Sequence, residues 1–342
     1  MPTSRSDERT WVSVEPGPAA SLDPLDRKIV AALQSDGRAS WTDIATLADT
    51  SVTTVARRGQ RLLDDGVVKV AVVPAVNHAG PASLYLLRLQ CSPGAQTKVA
   101  RELMLRPDTR LVSVVTGEWD VLAELAVRKD ESLSNRLVGE ILGTDGVLRC
   151  DTDVMLHTYK VSHDWSRQLV TGEPYVYSGD EPHECDPSHL DEVDRAIIER
   201  MRDDGRVSFR AIASGVGVNE STARRRFEAM HSRGCVWLLT LVPAAAIGFE
   251  SEIILDVGVD PGRVDAVAKE LAAYRGVRFL ASMLGRNSLF CEIILPQRED
   301  VFEFMTHTLG RLEGVRDWSA RIELVTFKRG FVETPWWKSA IE

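Results

Sequence analysis

Two clusters of arginine carry the most specific chemistry in this sequence. Each cluster follows short hydroxyl or amide side chains: Arg57, Arg58 and Arg61 come after Ser51, Thr53 and Thr54, and Arg224, Arg225 and Arg226 come after Asn219, Ser221 and Thr222. Guanidinium groups donate to phosphate oxygens or to guanine, and short polar side chains are small enough to enter a major groove of DNA. Residues 206–233 hold six Arg against two Glu, although the chain has a net charge of −9. The alternative is a solvated helix face, the usual fate of a charge run, but the recurrence of the pattern favours DNA contact.

The rest of the composition excludes several other classes of protein. The net charge of −9 excludes binding to nucleic acid or anionic lipid through bulk charge alone. The five cysteines form no C-x-x-C pair, which argues against a zinc site or a disulfide framework and favours a reducing cytoplasm. The absence of any long apolar run predicts a soluble cytoplasmic protein with no membrane partner. No catalytic motif, metal-ligand spacing or cofactor motif is present, so we expect no catalytic residues, no metal and no cofactor.

The sequence contains an internal repeat. Residues 22–45 and 190–213 are identical at 11 of 24 positions when they are aligned without a gap at an offset of 168 residues. The same offset aligns Gly117 with Gly285 and the run 158–160 with 326–328. Agreement over such a distance predicts two copies of one structural unit.

Each copy begins with three predicted helices. Asp23, Ser40 and Ser51 are suited to cap the three helices of the first copy, and the β-branched run Val67–Val73 predicts a strand after them. The second copy repeats this order at Val193–Met201, Phe209–Val216 and Asn219–His231, followed by a strand through Val242. Three short helices with a sharp turn before the third, and then a strand, describe a winged helix-turn-helix whose third helix meets DNA. We include Arg38 and Arg206, which lie in the D-G-R sequence of each copy, among the predicted DNA contacts.

The remaining part of each copy is predicted to be an α+β unit. The order strand–helix–strand–strand–helix–strand is expected at Ser83–Gln90, Gly94–Leu105, Arg110–Thr116, Trp119–Val127, Ser132–Leu142 and Val147–Leu156. The second copy offers Glu252–Val259, Arg263–Tyr274, Val277–Leu284, Ser288–Leu295, Asp300–Leu309 and Val315–Thr326. This βαββαβ order is typical of a ferredoxin-like fold.

These patterns divide the chain into seven segments. They are a disordered tail (1–21), a first winged helix-turn-helix (22–78), a first ferredoxin-like domain (79–160), an acidic linker (161–189), a second winged helix-turn-helix (190–246), a second ferredoxin-like domain (247–330) and a C-terminal tail (331–342). Between residues 170 and 192 there are seven acidic residues and no Lys or Arg. We expect this linker to be an extended spacer, because such a composition buries little apolar surface.

The motifs L-D-x-x-D-R-x-I, D-G-R-x-S and G-E-W-D-V (117–121), in this order of elements, resemble the Lrp/AsnC family of prokaryotic transcription regulators. The resemblance covers nearly the whole chain twice. It implies a regulator that binds double-stranded DNA, with C-terminal domains that bind a small effector such as an amino acid and drive assembly. Because two subunits' worth of protein is fused, the chain resembles a covalent pseudo-dimer, and further chains are expected to join it in a dimer or tetramer.

The resemblance also implies where an effector would bind. In the first copy the predicted effector-binding residues are Thr116, Gly117, Glu118, Trp119 and Asp120, and in the second they are Gly285, Arg286, Asn287 and Ser288. Asp120 is suited to hold an ammonium group, although a hairpin aspartate is equally suited to accept from backbone amides. The second loop lacks the acid and has gained Arg286, which puts amino-acid binding there in doubt.

Two other functions remain as alternatives. An architectural DNA binder without effector control would carry the same helices. Sirohaem decarboxylases share the doubled architecture and hold a tetrapyrrole with His and Arg side chains of the sheet. The corresponding strands here, 111–127 and 278–295, contain no His, so the enzyme is the weaker alternative.

Overall fold

The computed structural model of the chain describes residues 22–74, 82–128, 131–171 and 189–341. The predicted tail 1–21 and most of the predicted linker lie outside these residues. The first copy contains α1 (Pro24–Ser35), α2 (Trp41–Ala48), α3 (Val52–Asp64), β1 (Lys69–Pro74), β2 (Ala82–Cys91), α4 (Gln96–Met104), β3 (Thr109–Val115), β4 (Val121–Arg128), a π-helix (Asn135–Ile141), β5 (Val147–Val161) and α5 (Trp165–Thr171).

The second copy repeats this order through its long last strand, which is followed by a two-residue strand and a short helix. It contains α6 (Glu192–Met201), α7 (Phe209–Val216), α8 (Glu220–Ser232), β6 (Val236–Leu241), β7 (Ser251–Val259), α9 (Val264–Ala272), β8 (Val277–Leu284), β9 (Leu289–Leu295), α10 (Arg298–Glu303), β10 (Val315–Arg329), β11 (Val332–Glu333) and α11 (Trp337–Ile341). The predicted sequence of helices and strands is confirmed in both copies.

Polar side chains cap the helices at the predicted positions. Asp23, Ser40 and Ser51 each accept a hydrogen bond from the backbone N–H three residues later, at 2.9, 3.1 and 3.2 Å. The same bond is formed in the second copy by Asp191, Ser208 and Asn219. Each cap satisfies a backbone donor that the helix itself leaves without a partner, so the sequence determines where these helices begin.

The strand after each third helix pairs with its counterpart in the other copy. β1 and β6 run antiparallel, with Lys69 opposite Leu241 and Pro74 opposite Val236. The sequence predicts a winged unit in each copy. Within the described residues, the two wing strands instead pair with each other in one two-stranded ribbon that both copies share. The reason is that a single strand leaves its backbone groups without partners, and the equivalent strand satisfies them.

The other strands form a second sheet that joins the copies. Its order is β11-β10-β3-β4-β2-β5-β8-β9-β7, and β10 also pairs with β7. Strand β5 pairs with β2 over residues 147–154 and with β8 over 154–161. Strand β10 pairs with β7 over 315–322 and with β3 over 323–328. Among the described residues, eight strands thus close a circuit in which each long last strand belongs to both copies.

Side chains alternate between two faces of this sheet. On β2, Leu87 and Leu89 pack beneath the helices of the first copy, whereas Leu86 faces Ile254 and Phe290 of the second copy. This alternation is the period-2 pattern of a strand that is covered on both faces. The core therefore consists of a helix–sheet layer in each copy and an inner layer where the two halves of the nine-stranded sheet face each other.

The predicted linker 161–189 is wrong for its first eleven residues. Val161 ends β5, and Trp165–Thr171 forms α5, which packs against α1. Trp165 is buried, and Ser166 donates both its backbone N–H and its hydroxyl to Gln34 of α1, at 3.0 and 2.5 Å. The acidic composition that suggested a spacer begins after this helix, and the apolar Trp165 provides the burial that the later residues lack.

The predicted C-terminal tail is also a packed segment. Strand β11 extends the sheet beside β10, and Trp337 stacks on Phe327 with ring centroids 5.0 Å apart. Its indole N–H donates to Glu333 at 2.8 Å. Trp336 and Trp337 therefore both pack against the body of the protein.

Replacing Trp165 with Ala tests whether α5 is part of the fold. Because the side chain is only 5% exposed, we expect the free energy of unfolding to fall by about 3–5 kcal/mol. Urea denaturation measures this change. Leu105→Ala is the control, since Leu105 is 76% exposed, and an equal loss in both variants would contradict a packed α5.

Candidate nucleic-acid interface and effector loops

Helices α3 and α8 present equivalent polar surfaces. Thr53 and Arg57 are exposed on α3, and Ser221 and Arg225 are exposed on α8. Among the described residues, neither Arg57 nor Arg225 has a salt-bridge partner. The capping residues Ser51 and Asn219 are also exposed, whereas Thr54 and Thr222 are half-buried. Each third helix therefore offers short polar side chains at its start and one unpaired arginine one turn later.

The neighbouring arginines turn inward. Arg58 contacts Asp23 and lies 3.0 Å from Asp26, both of which belong to the start of α1. Arg226 makes the equivalent contacts with Asp191 and Asp194, at 2.7 and 2.9 Å. The hydrogen bond from Arg58 lowers the pKa of Asp23. These two arginines were predicted to bind DNA, but the structure places them where they fix each third helix against the first.

Two further predicted arginines are partly engaged. Arg61 lies 3.3 Å from Asp26 while its side chain stays 53% exposed. Arg224 lies 3.5 Å from Glu220, and its guanidinium carbon is 4.6 Å from the ring centroid of Phe209. Both remain accessible from solvent, so both can still reach a phosphate.

Arg38 and Arg206 join the two helix-turn-helix units reciprocally. Arg38 donates to the carbonyls of Gly205 and Val207 at 2.5 and 3.0 Å, and Arg206 donates to the carbonyls of Gly37 and Ala39 at 2.6 and 3.1 Å. Each guanidinium also covers an aromatic ring of the other unit: Arg38 lies 4.4 Å from Phe209 and Arg206 lies 4.3 Å from Trp41. Burial lowers the pKa of both groups. The placement does not support the predicted DNA contact, because these donors are used between the two helix-turn-helix units. We call the reciprocal contact of Arg38 and Arg206 between the units the arginine clasp.

In the first predicted effector loop, Asp120 holds the end of β2. Its Oδ2 accepts from the backbone N–H of Cys91 at 2.7 Å, and its Oδ1 accepts from Gln96 at 3.3 Å. Trp119 is buried, with Arg149 4.9 Å from its ring centroid. This is the backbone-bonded alternative that the sequence left open for Asp120. Gly117 and Glu118 are exposed, and the Thr116 hydroxyl accepts from the backbone of Ile322 at 2.9 Å.

The second loop replaces the aspartate with a serine in the same role. Ser288 Oγ accepts from the backbone N–H of Val259 at 3.3 Å and donates to its carbonyl at 3.1 Å. Arg286 is exposed and Asn287 is half-buried. The carboxylate of Asp153 lies directly against Gly285, so that a Cβ at this position would be only 1.8 Å from it. Both loops are thus built around hydrogen bonds to the first strand of their own sheet.

A set of largely buried charges, which the sequence patterns did not predict, lies between the two halves of the nine-stranded sheet. Arg278 lies 2.7–3.0 Å from Glu252, Glu292 and Glu323, and Arg329 binds two of the same carboxylates. Burial alone would raise the pKa of Glu323, but Arg329 and Arg278 lower it to about 2. The signal in the sequence was the presence of charged residues at inward positions of apolar strands, which requires partners.

Comparison with known proteins places these elements in a family. The family model described as "AsnC-type helix-turn-helix domain" matches residues 22–63 and 190–231, and the model "Lrp/AsnC ligand binding domain" matches 85–165 and 252–332. The chain belongs to the Lrp/AsnC family. Both domains of the family are present twice, in the order that the internal repeat of the sequence predicted.

Curated relatives of this Lrp/AsnC protein match one copy at a time. A Pyrococcus furiosus protein described as an uncharacterized HTH-type transcriptional regulator is 31% identical over 143 residues, which cover 42% of this chain and 97% of that protein. The HTH-type transcriptional regulator FL11 of Pyrococcus horikoshii is 29% identical, over 41% of this chain and 92% of its own length. The chain therefore holds two copies of what these relatives have once.

Both copies together are similar to a solved enzyme structure. The crystal structure of the sirohaem decarboxylase NirDL aligns with 93% of this chain and 98% of its own, at a TM-score of 0.59 and 16% sequence identity. At this identity the match shows a shared fold.

Within the described residues, no helix combines the length and the apolar character of a membrane span. Within the same ranges, no three His, Cys, Asp or Glu residues are grouped to hold a metal ion.

The arginine clasp can be separated from a DNA contact by experiment. Arg38→Ala or Arg206→Ala should lower the free energy of unfolding by about 1.5–3 kcal/mol without any DNA present, because charged donors to buried carbonyls are lost. Arg→Lys should restore little, since a lysine lacks the planar fork. Arg57→Ala is the control and should leave the stability unchanged; if Arg38→Ala behaves like Arg57→Ala in thermal denaturation, the clasp assignment is wrong.

Proposed function

We propose that this Lrp/AsnC regulator binds double-stranded DNA through α3 and α8, which the arginine clasp and the β1–β6 ribbon hold as one unit. The family and its helix-turn-helix domains make the chain a DNA-binding transcription regulator. The observation that supports α3 and α8 as the DNA-binding helices is the different placement of adjacent arginines. Arg57 and Arg225 project to solvent, while Arg58 and Arg226 bind the first helices.

The accessible polar surface of each unit forms the proposed DNA contact. It consists of Ser51, Thr53, Thr54, Arg57 and Arg61 in the first copy and Asn219, Ser221, Thr222, Arg224 and Arg225 in the second. Short polar residues at the helix start read base edges, and the arginines one turn later bind guanine or phosphate. Glu220 at the start of α8 faces the same groove and introduces a carboxylate that α3 lacks.

We further propose that the two domain types have the architectures predicted from the sequence. The strand order β3-β4-β2-β5 in the first copy and β8-β9-β7-β10 in the second supports a ferredoxin-like domain in each. The strand after each third helix supports a winged helix-turn-helix whose wing is completed by the other copy.

The proposed effector is an amino acid or a similar small molecule bound near residues 116–120 or 285–288. The match of both regions to a ligand-binding domain model supports this proposal. Asp120 already accepts two hydrogen bonds from the protein. An effector would therefore meet the exposed Gly117 and Glu118 in the first loop and the exposed Arg286 in the second.

Assembly into a homo-oligomer is proposed for the whole chain. The outer faces of the long strands β5 and β10 expose large apolar side chains. These are Leu148, Leu156, Trp318, Ile322 and Leu324, which are 39–65% exposed. Large exposed apolar side chains on each of these strands favour contact with another protein surface.

We propose a regulator and not an enzyme. The shared fold with NirDL is the observation that favours a decarboxylase as the alternative. Strands β3, β4, β8 and β9 correspond to the sheet strands that hold the tetrapyrrole in sirohaem decarboxylases, and they contain no His. A purified protein that showed a Soret band would favour the tetrapyrrole enzyme instead.

Replacing Arg57 and Arg225 with Ala tests the DNA surface. Each base-reading arginine should contribute about 1–3 kcal/mol to binding, and the slope of log K against log salt should become shallower by about 0.9 for each phosphate contact that is lost. Fluorescence anisotropy with operator DNA at several salt concentrations measures both effects.

The matched control removes two positive charges elsewhere. Lys98 and Lys269 lie on α4 and α9, with side chains 54% and 62% exposed. Replacing both with Ala should leave affinity and salt slope almost unchanged. Equal effects from the two double variants would mean that general charge, not the third helices, carries the binding.

A further inference from the structure

One position in the buried inner layer touches its own counterpart. Arg88 on β2 and Asp256 on β7 are equivalent positions of the two copies, 168 residues apart. Arg88 Nη2 nevertheless lies 2.6 Å from Asp256 Oδ1, and the residues are only 4% and 1% exposed. A residue that contacts its own counterpart lies on the axis that relates the copies. If the copies were identical, this contact would join two arginines or two aspartates.

A second pair of equivalent positions shows the same exchange of sign. Asp153 on β5 corresponds to Arg321 on β10 at the 168-residue offset. Within their own copies, Asp153 lies 2.5 Å from Arg88, and Arg321 lies 2.6 Å from Asp256. The four side chains therefore form a line of alternating charge, from Asp153 through Arg88 and Asp256 to Arg321. We call these residues the axial charge line.

The alternation depends on the copies being unlike. Two first copies would place Arg88 against Arg88 at the axis, and two second copies would place Asp256 against Asp256. Like charges at such a distance, with side chains 2–8% exposed, cannot be screened by solvent. A buried charge without an opposite partner is strongly destabilising.

A separate contact between the copies has the same requirement. Ser113 on β3 donates to Glu323 on β10 at 2.5 Å. Their counterparts at the same offset are Ala281 and Met155, neither of which can replace its equivalent in this hydrogen bond. Two second copies would offer Ala281 to the buried Glu323, which would lose one of its donors.

We propose that the inner sheet faces form an interface that is specific for unlike copies: the first copy accepts the second copy and excludes another first copy. The partner that fits each face is the other copy of the same chain. Consequently, separate chains do not exchange these domains as two-fold homodimers, and every DNA-binding unit contains one α3 and one α8. The proposal concerns pairing and does not depend on DNA binding.

The full-length chain allows the cost of like pairing to be measured within one molecule. Arg88→Asp with Asp153→Arg gives the first copy the charges of the second, so the pair inside the copy is kept and only the axial contact becomes like-charged. Asp256→Arg with Arg321→Asp does the same in the other direction. A four-site variant that combines all these changes restores alternation with every sign reversed. The control is Lys98→Asp with Asp145→Lys, which exchanges an exposed ion pair away from the axis.

Thermal denaturation distinguishes the outcomes. We expect each two-site variant to melt roughly 5–10 °C below the wild type or to fail to fold, the four-site variant to recover most of that loss, and the control to stay within about 1 °C of the wild type. Wild-type melting temperatures in both two-site variants would overturn the proposal. So would a four-site variant that is no more stable than the two-site variants, because the loss would then come from the substitutions themselves and not from like charge at the axis.

Discussion

The fold depends on two strands that are too long for one copy. Each half of β5 and of β10 is hydrogen-bonded to a different copy, so separating the copies would leave half of each strand without partners. A lysine on each long strand adds hydrogen bonds between the two copies. Lys160 donates to the carbonyls of Ala272 and Tyr274 at 2.9 Å, and Lys328 donates to that of Arg106 at 2.6 Å. Each lysine thus meets the carboxyl end of a helix in the other copy, where a donor and a positive charge are both favourable. Burial lowers the pKa of Lys160 to about 7 and that of Lys328 to about 8.

The same joining of copies continues into the DNA-binding part. The β1–β6 ribbon and the arginine clasp set the position of α3 relative to α8. Helix α5 then ties the first helix-turn-helix unit to the end of β5 through Trp165, and the segment after β10 packs Val332 against the ribbon. These two connections therefore join the long strands to the helix-turn-helix units.

Local rules predicted the elements, and contacts between distant residues decided how they are used. The caps at Asp23, Ser40 and Ser51 act within four residues, so the helix starts could be read from the sequence. Arg57 and Arg58 are neighbours in the same basic cluster, yet one faces solvent and the other faces Asp26. That difference depends on where α1 lies, and the sequence pattern alone does not show it. The function of Arg38 and the partner of β1 depend in the same way on residues about 170 positions away.

The two copies of one chain are unlike, and we propose that the chain reads DNA with two different helices. Val52-Thr53-Thr54 in the first copy corresponds to Glu220-Ser221-Thr222 in the second, and a carboxylate accepts from cytosine where a valine cannot. Selection of binding sites from a randomised DNA pool measures the base preference of each half-site. We expect a consensus with two half-sites of unequal base preference, one helical turn or a multiple of it apart. A perfectly symmetric consensus would contradict it, because equivalent helices from two chains would then be paired on the DNA.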